Sequence, residues 1–479
     1  MANKDREGSI REKIPFPRLT GDQCRRIHEA SLEVLDRVGV RLELEEAIAL
    51  LKKAGARVDS KNMVHLSSRL VEEALASAPK SVVLHDREGH PALRLEGYRC
   101  YYGPGSDCLN IIDHRSRKRR KALLKDVQEG LVLCEGLDHV DFVMSMLLPS
   151  DVDMTVADRY QMEAMLTQAR KPIIFVTYEF EGCPDCIEMA EVVAGGAEAL
   201  RDKPNIACYI NVVSGLRHNK EGLQKLLYLA SKNIPALYIP SSTAGVTSPV
   251  TPAGALAVDN AGALVGLVLS QLKQEGAPMI ISGMPPGHLD MRTMVSTYAE
   301  PERGMTQALA HFYGLPMFSL AGASESKIPD SQAAAEAALS LMSATLAGGQ
   351  IIHDLGYLES GLTFSFAQLA LCDEIVSWIK GFDRAIEVDT ESLGLDTVTE
   401  VAVEGQFLNT KHTLRHFRER WYPQLFERKT FEAWRDEGSK DLIARATERV
   451  ESILAEHKPE PLPKRIQGKI RDIVLRAAG

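Results

Sequence analysis

From residue 99 onward the chain repeats one alternation eight times, a short run rich in β-branched and aromatic residues followed by a longer amphipathic stretch. This is the signature of parallel strands joined by crossover helices. The runs are Arg99–Gly103, Val140–Leu147, Pro172–Tyr178, Ile206–Val213, Ala236–Pro240, Pro278–Gly283, Pro316–Leu320 and Gln350–Asp354. Between them, segments such as Thr155–Ala169, Pro184–Ala199, Gly222–Ser231, Ala253–Leu272, Thr297–Tyr313 and Ser331–Leu346 have the length and composition of helices. Eight strand–helix units are the number that closes an α/β (β/α)8 TIM barrel. An open doubly wound sheet is the competing arrangement and is expected to carry a phosphate-cradling GxGxxG turn after an early strand. The nearest candidate, Gly103-Pro-Gly105, has Cys108 where the third glycine belongs.

The flanks divide the 479 residues further. Residues 1–95 alternate helical patterns (Gly21–Val38, Leu42–Ala54, Ser67–Ala78) with extended runs such as Ser81–His85, which predicts a small N-terminal α+β cap. Residues 96–388 hold the barrel and a closing helix over Phe364–Phe382, and 389–479 predict a helical C-terminal extension packed outside it. With 45% hydrophobic and 25% charged residues the balance is that of a soluble globular chain. A net charge of −9 offers no general attraction to nucleic acid or an anionic membrane.

The first sixteen residues, MANKDREGSIREKIPF, carry charges where a signal peptide needs an apolar stretch. Ala253–Leu272 is the most apolar long segment, but Asp259 and Asn260 interrupt it, so it reads as a buried helix and not a membrane span. Eight scattered cysteines without a leader predict reduced thiols in a cytoplasm. The one CxxC, Cys183-Pro-Asp-Cys186, lacks the second ligand pair of a zinc site and reads as a helix N-terminus.

Barrel enzymes place their chemistry at the C-terminal ends of the strands. Here those ends supply Tyr101, Tyr102, Ser106 and Asp107, then Thr177 and Tyr178, Tyr209 and Asn211, and Tyr238, Ser241 and Ser242. The last three runs add Ser282, then Ser324, Glu325 and Lys327, and finally His353, Asp354, Tyr357, Glu359 and Phe364. Taken singly, a tyrosine at a strand end often caps the core, and an Asp or Ser there often caps the next helix. Taken together they describe a mouth with many rings and few charges. No HExxH helix, GxSxG elbow or Walker loop is present, and Gly322-Ala-Ser324-Glu-Ser326 misses the elbow at its last position. Asp151 and Asp153 lack the further oxygen ligands of a calcium loop, so no metal is expected. An aromatic, metal-free pocket suits a quaternary ammonium, whose charge is attracted to ring faces.

Four segments in order, YYGPGSDCLNIIDHRSRKRR, STAGVTSPVTPAGALAVDNAGALVGLVLSQLKQEGAP, GASESKIPDSQAAAEAALSLMSATLAGGQIIHDLGYLESGLTFSFAQLALCDEI and FLNTKHTLRHFRERWYPQLFERKTFEAW, resemble the trimethylamine methyltransferase superfamily. The resemblance spans nearly the whole chain. It implies a TIM barrel that moves a methyl group from a methylated amine to the reduced cobalt of a partner corrinoid protein, binding no cofactor itself. Founding members carry pyrrolysine, whereas this chain has only ordinary residues and so resembles the glycine betaine:corrinoid methyltransferases and their relatives acting on proline betaine, carnitine or γ-butyrobetaine. A quaternary amine leaves as a neutral tertiary amine, so no catalytic acid or base is implied.

On this reading Tyr102, Tyr178, Tyr357 and Phe364 form part of an ammonium cage, and His353 with Asn211 holds a substrate carboxylate. Arg303 is a second carboxylate candidate, while Asp107 and Glu325 face the cation or orient neighbours. Arg115, Arg117, Arg119 and Arg120 make a basic docking run for the partner. Two rivals stay open: another enzyme on the same barrel, and a non-catalytic amine-binding or sensory protein. The hydrophobic outer helices and aromatic tail are compatible with a homo-oligomer.

Overall fold

The structure, a computed structural model, describes residues 16–299, 303–403 and 405–479. The charged N-terminal run therefore lies outside the described residues, apart from Phe16. Seven of the eight runs are strands of one parallel sheet, laid side by side in chain order. They are Tyr101–Pro104, Ile173–Val176, Ile206–Asn211, Ala236–Ile239, Met279–Ser282, Met317–Leu320 and Ile351–Leu355, and the last pairs back onto the first through Ile351 with Tyr101.

The second run fills the remaining gap without becoming a regular strand. Asp141 N–H donates to Tyr102 O (2.6 Å), Val143 N–H to Pro172 O (2.9 Å) and Ile174 N–H to Val143 O (2.9 Å). Its irregularity has two local causes. The Tyr102 N–H is satisfied by the Asp141 side chain (2.9 Å to Oδ2) and not by backbone, and Met146 takes a left-handed φ of 55°. With this eighth stave in place the sheet closes into a (β/α)8 barrel.

Alternation along each stave sorts the side chains. Phe142, Met144, Ile174, Ala207, Tyr209, Leu237, Ile239, Ile280, Phe318 and Ile351 point inward and pack as one core with Val82, Leu84, Leu93 and Leu95. Those last four come from an antiparallel hairpin, Val82–His85 with Pro91–Leu95. It plugs the N-terminal end of the barrel: His85 N–H donates to Pro204 O (2.8 Å) and Arg87 N–H to Arg170 O (2.8 Å), just ahead of two staves. With that end covered by the hairpin, the C-terminal ends of the staves face the opposite side.

Each stave is followed by a helix: Leu124–Gly136, Ala157–Gln168, Gly182–Ala194, Lys220–Lys232, Pro252–Lys273, Met305–Tyr313, Ser331–Leu346 and Phe366–Phe382. The stretch expected to be helical from Thr297 begins instead as a strand, Val295–Thr297, and turns helical at Met305. Likewise Phe364 sits in a strand, Thr363–Ser365, because Ser365 caps the last barrel helix by accepting from Gln368 N–H at 3.3 Å. Pro252–Lys273 is the one described helix long and apolar enough to cross a membrane, and 83% of its apolar window is buried. Gly21–Glu33 and Ser68–Ser77 cover it, and Asn260 Nδ2–H donates to Ser31 Oγ (2.8 Å) and Tyr313 Oη (3.0 Å). Its reading as a buried helix holds.

Cys183 and Cys186 lie buried in the first turns of Gly182–Ala194. At the C-terminus, Leu442–Glu456 packs on Phe366–Phe382 and Leu124–Gly136, and Lys464–Ala478 packs on Gly182–Ala194 and Ala157–Gln168.

Candidate active site

The floor of the mouth is aromatic. His353 follows Ile351 on the inward face of the eighth stave and stacks on Phe318 (centroids 5.3 Å, planes 22° apart), with the edge of Tyr209 against it at 5.7 Å. Its Nδ1 stands 2.5 Å from Asp354 Oδ1, and its Nε2 is buried with no partner among the described residues. Asp354 adopts a left-handed φ of 87°, which turns its carboxylate back toward the histidine when strand alternation alone would send it outward.

The walls grow from the first three staves. Asp107 Oδ1 accepts from Ser145 Oγ (2.9 Å), Gln161 Nε2 (3.1 Å) and Tyr178 Oη (3.2 Å). Burial pushes the Asp107 carboxyl up and the three donors pull it back toward the anion. Burial, reinforced by the nearby carboxylates, holds the phenols of Tyr178, Tyr209 and Tyr357 well above their ordinary range, so their rings stay neutral and their hydroxyls stay donors. Tyr357 Oη donates to Ser106 O. Gly105 makes this closeness sterically allowed, since a Cβ there would overlap Asp354 Oδ1 and the Tyr357 phenol. Neither Asp107 nor Asp354 has a Lys or Arg ion pair among the described residues.

Above the fifth and sixth staves stands a small flap of three strands, Thr243–Ala244, Gly287–Asp290 and Val295–Thr297. It delivers Tyr298 to the mouth, where burial and the Asp354 charge raise that phenol also. A cleft of about 730 Å³ lined by His288, Asp290, Arg292, Glu325 and Glu336 runs beside the flap.

The structure thus gathers Asp107, Tyr178, His353 and Tyr357 at one mouth, with Asn211 exposed at the rim on the inward phase of its strand. Other expectations need correction. Tyr102 points out of the barrel: its Oη is 2.8 Å from Thr345 Oγ1 on a surrounding helix, and the Lys380 ammonium lies 5.2 Å from its ring centroid. The alternation of its own stave excludes it from a cage. Phe364 is fully buried behind Tyr357 (centroids 6.2 Å) and supports that ring without lining the mouth. Glu325 does not face a cation with Oε1, which accepts from the Tyr298 and Ala299 N–H groups and so anchors the flap. Arg303 is buried and donates to Leu320 O at 2.7 Å, fastening the end of the seventh stave; the Glu300–Glu302 segment before it lies outside the described residues.

The basic run separates in the same way. Arg120 is held by Asp113 (3.0 Å) and the buried Asp126 (2.6 Å), which makes it part of the fold and removes it from docking. Arg115, Arg117 and Arg119 are all exposed, Arg119 donating to Glu359 (2.9 Å) and Arg115 lying 3.9 Å from Glu451. Tyr298, Ser145 and Gln161 went unseen in the sequence: two lie off the strand ends, and the segment of Tyr298 has helical composition. Among the described residues no group of three His, Cys, Asp or Glu side chains is placed to hold a metal.

The trimethylamine methyltransferase (MTTB) family matches residues 2–478. A trimethylamine methyltransferase of Desulfitobacterium hafniense (strain DSM 10664 / DCB-2) is 34% identical over 453 residues, covering 94% of this chain and 91% of that one. The glycine betaine methyltransferase of D. hafniense (strain Y51) is 28% identical over 463 residues, covering 95% and 96%. Among solved structures, the monomethylamine methyltransferase of Methanosarcina barkeri overlays with a TM-score of 0.49 at 11% identity, covering 93% of this chain and 89% of that one, a likeness too loose to carry an argument.

Proposed function

This chain belongs to the trimethylamine methyltransferase family, whose members act on methylated amines, and on that premise we propose that it takes a methyl group from a quaternary amine, with glycine betaine as the leading substrate, and passes it to the cobalt(I) corrinoid of a partner protein. The observation that carries the reading is the pair of carboxylates, half-buried Asp107 and buried Asp354, in a tyrosine-walled mouth without a lysine or arginine ion pair among the described residues. Such a site lowers the free energy of a bound cation. Neutral rings add attraction to the methyl-bearing face.

The carboxylate end of a betaine needs a donor away from those anions. His353 offers Nε2, which carries N–H when the ring is protonated, and the exposed Asn211 amide stands on the rim. Asp354 at Nδ1 fixes the orientation of the ring and so aims Nε2. In the transfer the cobalt lone pair attacks the methyl carbon as the C–N bond breaks. The electron pair returns to nitrogen, and a neutral tertiary amine departs without a proton donor. The contribution of this chain is alignment and water exclusion, effects worth roughly 7–11 kcal/mol when geometry is well held. Arg115, Arg117 and Arg119, all exposed, are the remaining basic docking candidates for the partner.

The test is to mix the protein with chemically reduced free cobalamin and glycine betaine, proline betaine, carnitine, γ-butyrobetaine or trimethylamine, and to follow the cobalt(I) to methyl-cobalt(III) spectral change. Turnover with a betaine and not with trimethylamine is the expected result. Turnover with trimethylamine alone would overturn the substrate class, and saturable binding without transfer would overturn the enzymatic reading.

A further inference from the structure

A cavity of about 210 Å³ lies where the hairpin of Asn110–Ile112 with Arg119–Lys121 meets the starts of Phe366–Phe382 and Leu442–Glu456. Its walls are largely apolar, with Ile112, Ile328, Pro329 and Ile443 among them. Two basic side chains of the hairpin turn line it as well. Arg117 is exposed and is held in the turn at a left-handed φ of 58°. Its neighbours Arg119 and Arg120 have carboxylate partners, whereas Arg117 makes no ion pair among the described residues. His114 is only 6% exposed, and its Nε2 is buried with no hydrogen-bond partner among the described residues. Phe366 packs on the ring (centroids 5.6 Å), and burial together with Arg115 pushes the imidazole below its ordinary range. The ring is therefore neutral and is able to present an N–H at Nε2.

The backbone around the cavity is positive as well. Ala367 and Ile443, both lining it, are the second residues of Phe366–Phe382 and Leu442–Glu456. At that position the N–H has no acceptor within its own helix, and the helix dipole is at its positive end. A third helix, Ser331–Leu346, starts two residues after Pro329. The two carboxylates at the cavity are already engaged: Asp113 accepts from Arg120 (3.0 Å) and Ser116 Oγ (3.0 Å), and Asp441 caps its helix by accepting from Ala444 N–H (2.7 Å). An arginine without a carboxylate, a buried imidazole without a partner and converging helix starts favour an anion. The apolar walls favour one that carries a hydrocarbon body behind its charge.

We propose that this cavity is a binding site for a short-chain monocarboxylate, its carboxylate taken by the Arg117 guanidinium and the His114 imidazole and its hydrocarbon body by Ile112, Ile328 and Ile443. Occupancy asks nothing of the methyl-transfer reaction, since Asp107, Tyr178, His353 and Tyr357 do not line the cavity. A bound carboxylate also neutralises Arg117, one charge of the basic run beside the mouth.

Calorimetric titration of the full chain with isovalerate tests this, with 3-methylbutanol as the body without the charge and inorganic phosphate as the charge without the body. Isovalerate is expected to saturate with a Kd on the order of 1 mM or tighter, and both controls to bind about tenfold more weakly or less. Arg117→Gln and His114→Phe should each weaken isovalerate about tenfold or more, the loss of a hydrogen bond to a charged group. The exposed Arg117→Gln should keep the Tm of the parent, so its loss of binding is not a loss of fold. The His353 end of the mouth is itself proposed to take a carboxylate, so His353→Phe is the control and should leave the isovalerate Kd unchanged. Absence of saturable binding, an alcohol or phosphate that binds as tightly as isovalerate, or binding that is indifferent to Arg117→Gln and His114→Phe or lost with His353→Phe would each overturn the proposal.

Discussion

His353→Phe is the most informative perturbation of the mouth. Phenylalanine keeps a ring over Phe318 and beside Tyr209, so the floor at 5.3–5.7 Å stays packed, while both ring nitrogens disappear. If Nε2 holds the substrate carboxylate, the change removes one hydrogen bond to a charged group, worth about 1.5–3 kcal/mol. At about 1.4 kcal/mol per tenfold, kcat/KM for glycine betaine should fall roughly 10- to 150-fold, mostly through KM. The variant also leaves Asp354, itself buried, without its imidazole, so some stability is lost whatever the role of Nε2. Two substrates separate the effects. Methyl transfer to free cob(I)alamin is measured with glycine betaine and with tetramethylammonium, which has the same cationic head and no carboxylate. The loss should appear with betaine and be small with tetramethylammonium. Equal losses on both would refute the carboxylate role and leave His353 a structural member of the floor.

Gly105→Ala should abolish transfer and destabilise by about 1–3 kcal/mol, because the new methyl overlaps the Asp354 carboxylate and the Tyr357 phenol; a variant of normal activity would show that the mouth yields there. Asp259 is half-buried, with desolvation raising its carboxyl to about 7 and Ser242 N–H donating to it at 2.8 Å. A raised carboxyl binds its proton more tightly folded than unfolded, so its stabilisation is full below pH ~4 and is lost as pH rises through about 7. Asp259→Asn should therefore gain on the parent between pH 5 and pH 8, by about 2 °C or more in Tm, and a constant difference would contradict this. Arg120→Ala, which strands the buried Asp126, should lower Tm, whereas Arg115→Glu with Arg117→Glu should leave Tm and transfer to free cobalamin unchanged while slowing transfer to the corrinoid partner.

The comparison of sequence with fold turns on which properties are periodic. Eight runs of β-branched and aromatic residues separated by amphipathic stretches specify eight staves and their helices, because strand and helix periods are written locally. The same locality made the strand ends visible as an aromatic, charge-poor mouth, and three of the four family segments begin at those ends. Tertiary structure decided the rest. Which of two adjacent tyrosines, Tyr101 or Tyr102, faces the interior depends on the register at which the eighth stave meets the first, and that is set by closure of the whole sheet. Asp141 and Met146 leave the second stave irregular, yet contacts from both neighbouring staves hold it in place. Asp107 acquires its three donors from residues 38 to 71 positions away, and Arg120 is drawn out of a basic run by Asp113 and Asp126. A sequence determines the order and face of its own short-range pattern. Partners for buried charge are chosen only when distant segments meet, because the cost of an unpaired polar group falls due where water has been excluded.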